Sequence, residues 1–178
     1  GSGLYGKCIA EGLCEAGAKV IIASRNLANC EKTASDYRKK GHNAYAYELD
    51  LSSHKSIVFF TERIWEDFGR VDILVNNAVL RSMKSYGDDL DKWKESIQVN
   101  ATGLFDSTRL FIEKMALRKK GSIINISSMY DRVGPNFSLY EGTNMDATPD
   151  YFFYKAGMVN LTRYFASRFG RYSIRVNT

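Results

Sequence analysis

Gly1-Ser2-Gly3-Leu4-Tyr5-Gly6, then a helical pattern to Ala16, then Lys19-Val20-Ile21-Ile22-Ala23-Ser24 is the stretch on which the fold turns. Ile9, Gly12, Leu13 and Ala16 fall at i, i+3, i+4 and i+7, the spacing of one helix face. Gly17 ends that helix, because glycine accepts the left-handed conformation that closes a helix. Lys19–Ser24 follows as a short strand in which Val20, Ile21 and Ile22 leave no polar face. A strand without a polar face is buried on both sides, as in a parallel sheet.

The alternation continues outward. Asn26 can cap a helix running to about Lys40, which Gly41 ends. Asn43–Leu49 is the next strand, and Ser52 or Ser53 caps a helix whose buried stripe is Ile57, Phe60, Ile64 and Phe68. Val71–Asn76 is a strand, helical segments run from about Leu90 to Arg118, and Ser122–Ser127 is a strand again. A helix over about Asp150–Phe169 and a strand opening at Ser173–Val176 complete the pattern. Strands and helices alternating through short links predict an α/β fold: a single Rossmann-type domain over residues 1–178, its doubly wound parallel sheet lying between two helical layers. The glycine turn has no strand before it and the last strand is cut, so the expected object is a fragment truncated at both ends, its first strand and C-terminal elements missing. The one long irregular stretch, Ser128–Pro149, holds both prolines, and a loop of that length inside a compact domain is usually functional or disordered.

Bulk properties narrow the classes of partner. The 178 residues suit one domain, and 44 % apolar with 25 % charged residues is the composition of a soluble globular protein. No apolar run approaches the length of a membrane span, so no membrane partner is expected. The net charge of +5 is densest at Arg38-Lys39-Lys40 and Arg118-Lys119-Lys120, both at predicted helix ends, where cations suit the helix dipole. No aromatic residues interleave with those charges, so no nucleic-acid partner is expected. Cys8, Cys14 and Cys30 fit no zinc spacing and imply no metal. They read as reduced, partly buried thiols of a reducing compartment, which places the protein in the cytoplasm.

The glycine turn opens a helix directly. Glycines let the backbone turn tightly and approach a pyrophosphate, and the helix N-terminus favours its charge. Ser24, eighteen residues after Gly6, ends the following strand at about the place where a dinucleotide fold reads the ribose. A carboxylate there suits NAD. Here Ser24 is followed by Arg25, which can pair with a 2′-phosphate, so NADP is favoured over NAD.

Beyond Asn76-Asn77-Ala78 the chain resembles the short-chain dehydrogenase/reductase family, and the resemblance covers essentially all of it. It implies that Gly1, Ser2, Gly3, Leu4, Tyr5 and Gly6 form the cofactor loop. It also implies that Ser24, Arg25 and Asn26 lie at the ribose, Asp50 with Leu51 at the adenine, and Asn76, Asn77 and Ala78 beside the cofactor. Val79 stands where the family has glycine, and Gly3-x-x-Gly6 is spaced more like the family's extended branch. Asn100 in Val99-Asn100-Ala101-Thr102-Gly103, Ser128 after Ile126-Ser127, and Tyr151 and Lys155 match the family's catalytic residues. With 11 tyrosines in the chain a lone Tyr-x-x-x-Lys carries little weight, and the force lies in the order of the whole set.

The implied chemistry is hydride transfer between a nicotinamide cofactor and a secondary alcohol or carbonyl. An unperturbed tyrosine pKa of about 10 is too high for acid–base work at neutral pH. A lysine one helical turn away stabilises phenolate. Tyr151 thus exchanges the proton, Lys155 tunes it and holds the nicotinamide ribose, Ser128 bonds the substrate oxygen and Asn100 positions a water. Tyr154, beside Lys155 in sequence, is off its helix face and serves as a control. The stretch between Ser128 and Tyr151 is roughly ten residues longer than the family's usual loop, and its Gly134–Ala147 part is expected to cap the substrate pocket. This resembles the gluconate 5-dehydrogenase-like and flagellin-glycan sugar subgroup, which implies a sugar acid or polyol. Tyr164, Phe165 and Phe169 suggest a homodimer or homotetramer. The alternatives are a sugar epimerase or dehydratase, or an inactive cofactor-binding protein.

Overall fold

A computed structural model of the chain describes residues 3–178. Gly1 and Ser2, both expected in the cofactor loop, lie outside the described residues. Helix α1 (Leu4–Glu15) leads to β1 (Val20–Ser24), α2 (Leu27–Lys39), β2 (Ala44–Glu48), α3 (His54–Phe68) and β3 (Ile73–Asn76). Then come α4 (Leu90–Ile97), α5 (Leu104–Leu117), β4 (Gly121–Asn125), α6 (Pro149–Phe169) and β5 (Ile174–Asn177).

The caps explain most boundaries. Asn26 accepts a hydrogen bond from the Asn29 N–H at 2.9 Å and starts α2. Of the two candidate serines it is Ser53 that caps α3, accepting from the Ser56 N–H. Gly17, Gly41 and Gly69 all take positive φ after helices α1, α2 and α3, where any side chain would be strained. Pro149 opens α6, where its missing N–H costs nothing.

All strand pairs are parallel. β1 pairs with β2, and β4 pairs with both β3 and β5. Alternation along β1 shows both faces in use: Val20 and Ile22 pack with Cys14, Cys30 and Ala34 of α1 and α2, while Ile21 and Ala23 pack with Phe60 and Ile64 of α3. On the other sheet Ile123, Ile174 and Val176 pack with Ile112 and Met115 of α5 and Phe165 of α6. Its opposite face is open, with Ile73 and Ile124 exposed.

The parallel α/β fold of Rossmann type expected from the sequence is the one observed, its strands falling in two sheets among the described residues. A groove of about 860 Å³, walled by the β1 and β3 strands, by Ile9 and Leu13 of α1 and by Phe60 and Ile64 of α3, separates them, and no described strand lies in it. No helix among the described residues is long and apolar enough to cross a membrane. Phe165 and Phe169 are packed into this chain's own core, and of the three aromatics expected at a subunit contact only Tyr164 is exposed.

The helical stretch from Leu90 is not one helix. Gln98–Gly103 forms a turn of π-helix between α4 and α5. Gly103 ends it under the Leu51 backbone: a Cβ there would stand 2.1 Å from the Leu51 carbonyl oxygen. Backbone on both sides leaves no room to yield. Gly103→Ala is expected to cost about 1–3 kcal/mol, read as a lowered Tm in thermal unfolding, and an unchanged Tm would remove this close approach as a constraint.

Candidate active site

In parallel sheets, ligands sit at the carboxyl ends of the strands, and a cavity of about 440 Å³ lies there. Each of the first four strands delivers residues to its wall as it ends. β1 delivers Ser24 and Arg25, β2 delivers Asp50 and Leu51, β3 delivers Asn77 through Arg81, and β4 delivers Ile126 and Ser127. Gly3 and Tyr5 close one end, and Tyr151 and Lys155 of α6 close the other.

The α1 end suits an anion. Gly3 is extended (φ −77°, ψ 174°) and no side chain caps the helix among the described residues. The opening N–H groups of the helix therefore lack an internal partner, the usual arrangement at a phosphate. Leu4 contributes backbone as the first residue of α1, and Gly6 lies buried within that helix. Arg25 is exposed on the cavity wall. The Ser52 hydroxyl (2.7 Å) and N–H (2.9 Å) both donate to Oδ1 of Asp50. Those bonds hold the Asp50 carboxyl below its ordinary value against burial, with help from the Arg25 charge. Asp50 stays ionised at neutral pH with Oδ2 able to accept from a ligand N–H.

At the other end Lys155 is buried, 2 % exposed, and donates to the Ile126 carbonyl oxygen. Burial, and after it the positive charge of Arg81, together lower its pKa to about 8. The Arg81 guanidinium stands 5.0 Å from the centre of the Tyr151 ring. Lys155 Nζ is 5.8 Å from the Tyr151 ring centre and 5.7 Å from that of Tyr154. The expectation that Tyr154 is separated from Lys155 by helix face is thus corrected. The long lysine side chain reaches between both rings. What distinguishes the two is access: Tyr151 lines the cavity, while Tyr154 is 3 % exposed and its hydroxyl has no partner among the described residues. Burial pushes the Tyr154 hydroxyl well above the ordinary tyrosine value.

Besides Gly6, the expected site residues Asn26, Asn76, Ser128 and Asn100 stand off the cavity wall. Asn26 is occupied in its cap. Asn76 turns inward and donates to Thr108 Oγ1 (3.0 Å) and Asn125 Oδ1 (2.8 Å), tying β3 to α5 and β4 and leaving Asn77 as the asparagine that faces the cavity. Ser128 accepts from the Tyr130 N–H at 3.3 Å and keeps its own proton to give. Asn100, in the π-turn, donates to the Leu80 carbonyl (2.7 Å) and to Ser96 Oγ (3.0 Å) and accepts from the Leu80 N–H (2.8 Å). Both its amide protons are used, so any water it holds must bind through its main chain or its remaining Oδ1 lone pair.

Sequence reasoning missed Leu80, Arg81 and Ser127 on the cavity wall. Their only sequence signal is position: each follows a strand end on the carboxyl edge of the sheet. No group of three or more potential metal-ligating side chains occurs among the described residues.

A family model described as short chain dehydrogenase matches residues 1–178. A short chain dehydrogenase/reductase of Colletotrichum higginsianum is 32 % identical over 181 residues, covering 99 % of this chain and 64 % of its own length. The chain therefore spans under two thirds of that relative. Among solved structures, a gluconate 5-dehydrogenase from Burkholderia cenocepacia in complex with NADP and tartrate superposes with a TM-score of 0.86 at 26 % identity, covering 99 % of this chain and 66 % of the other. An NAD+-bound xylitol dehydrogenase gives 0.85 at 26 % identity, with 99 % and 65 % covered.

Proposed function

The chain belongs to the short chain dehydrogenase family, and from that premise we propose that it interconverts a secondary alcohol and a carbonyl with a nicotinamide cofactor. The observation that carries this reading is one cavity whose wall holds the α1 N-terminus, Arg25, Asp50 and Asn77 at one side and Tyr151 with Lys155 at the other. The donor set fits a dinucleotide: backbone N–H groups for a pyrophosphate, a guanidinium for a 2′-phosphate, and an ionised carboxylate for an exocyclic amine. The bound nicotinamide supplies or accepts the hydride.

The chain's own residues handle the proton. Tyr151 Oη exchanges it with the substrate oxygen. The Lys155 ammonium, held between Ile126 and the tyrosine rings, stabilises the phenolate form and would hold the nicotinamide ribose. Ser128 donates its free proton to the substrate oxygen, and the π-turn at Asn100 holds a water on the path to Lys155. The gluconate 5-dehydrogenase and xylitol dehydrogenase neighbours support a sugar acid or polyol as substrate. Arg81 favours the acid, because it adds a cation to the wall beside Tyr151. We take the intact protein to be a homodimer or homotetramer acting in the cytoplasm.

The test is a cofactor-reduction screen of the full-length protein against sugar acids and polyols, with NAD and NADP in parallel. Net formation of reduced cofactor supports the dehydrogenase. Epimer formation without it favours the epimerase, and no chemistry with bound cofactor favours the inactive protein. Arg25→Ala is expected to raise the KM for NADPH about tenfold through loss of a charge-assisted contact, with the KM for NADH little changed in steady-state kinetics. Equal effects on both would remove the NADP preference.

A further inference from the structure

Asp150 stands directly before Tyr151, in the first turn of α6, yet its carboxylate is 1 % exposed. The helix N-terminus favours a carboxylate there, but it does not explain why this one points inward. Its Oδ2 accepts from Ser96 Oγ at 2.5 Å, and its Oδ1 has no partner among the described residues. Ser96, fully buried in α4, accepts in turn from Asn100 Nδ2 at 3.0 Å.

A serine hydroxyl has one proton. Left to itself in a helix it donates to the carbonyl four residues back, here that of Lys92. A buried carboxylate can only accept, so it fixes the Ser96 proton toward α6 and leaves Ser96 Oγ as an acceptor for Asn100. With Nδ2 so directed, Oδ1 of Asn100 must face the Leu80 N–H, and the amide has one allowed orientation. Three elements that carry cavity residues, the loop after β3, the π-turn and the start of α6, are locked to each other through this chain of bonds.

We propose that Asp150 is a positioning residue, acting through Ser96 to set the orientation of Asn100 and of the Leu80 segment against Tyr151. The kinetic part rests on the reaction proposed above, and the structural part does not. In the full-length enzyme, Asp150→Ala is expected to lower kcat about tenfold with the cofactor KM within about twofold. Amide hydrogen exchange at Leu80 rises about tenfold in the same variant. Asp150→Asn keeps an acceptor for Ser96 and restores both to within about threefold. Ser96→Ala has a similar effect, and the Asp150→Ala/Ser96→Ala pair is less than additive. Asp150→Ala with unchanged Leu80 exchange overturns the proposal, whatever happens to its Tm. Faster Leu80 exchange with kcat intact overturns the link to turnover. If the wild-type enzyme transfers no hydride, the reaction itself falls, while Leu80 exchange still decides the positioning role.

Discussion

Replacing Tyr151 with phenylalanine is expected to lower kcat by about 10²–10⁴-fold and to leave the dissociation constant for the cofactor unchanged. The substitution removes one oxygen and keeps the ring. That ring lies 5.4 Å from Tyr154 and 6.4 Å from Tyr130, both edge to face, with the Arg81 guanidinium over it. Those contacts need only the π face and survive in phenylalanine. Thermal unfolding should therefore barely change, which separates lost chemistry from lost fold. Tyr154→Phe is the matched control. It deletes a buried hydroxyl with no partner among the described residues, so turnover persists and Tm holds or rises. Turnover retained in the Tyr151→Phe full-length protein would sink the assignment of the proton donor.

Lys155→Met separates activity from stability in the opposite sense. Turnover falls by about 10²-fold or more, because the phenolate loses its cation. Stability responds to pH in a way set by the lysine alone. Its pKa is about 8 in the fold and 10.5 in its ordinary state. The unfolded chain therefore holds the proton more tightly, and the cost of burying the ammonium is fully present below about 8 and fades as pH rises toward 10.5. Compared with wild type, the variant should be more favoured at pH 7 than at pH 10 by about 1–3 kcal/mol. Denaturant unfolding of both proteins at the two pH values measures this, and a pH-independent difference would show that Lys155 pays no burial cost. The bond to the Ile126 carbonyl is stronger from the ammonium than from the neutral amine, so its loss offsets part of that difference.

Much of this site is written in the order of residues. Arg25, Asp50, Asn77, Tyr151 and Lys155 each sit just past a strand or on one helix, and the alternation of elements fixes where those points meet. What escaped the sequence has physical causes. A π-turn is one residue out of step with an α-helix, and Gln98–Gly103 contains no glycine or proline that would mark it before its end. Lys155 lies one position from Tyr154, and helix-face arithmetic takes no account of a four-carbon side chain bending between two rings. Asp150 in a first helical turn looks like an ordinary favourable charge, and only its burial against α4 shows another use. Asn76 and Asn77 are identical letters whose roles divide because neighbouring strand residues face opposite ways.

The π-turn also makes the chain intolerant of length changes at a definite place. Each residue of an α-helix advances the side-chain direction by about 100°. The wider turn at 98–103 lets Ser96, Asn100 and Leu104, spaced by fours, all stay buried before α5 resumes with Ser107, Thr108 and Phe111 inward. A π-turn carries one more residue than the α-helical turn it replaces, so removing one there would leave a regular helix with α5 still facing the sheet and would instead draw Asn100 away from Ser96 and Leu80. The segment behaves as an inserted residue that holds Asn100 between Ser96 and Leu80, so a one-residue deletion is expected to cost those bonds and not the packing of α5.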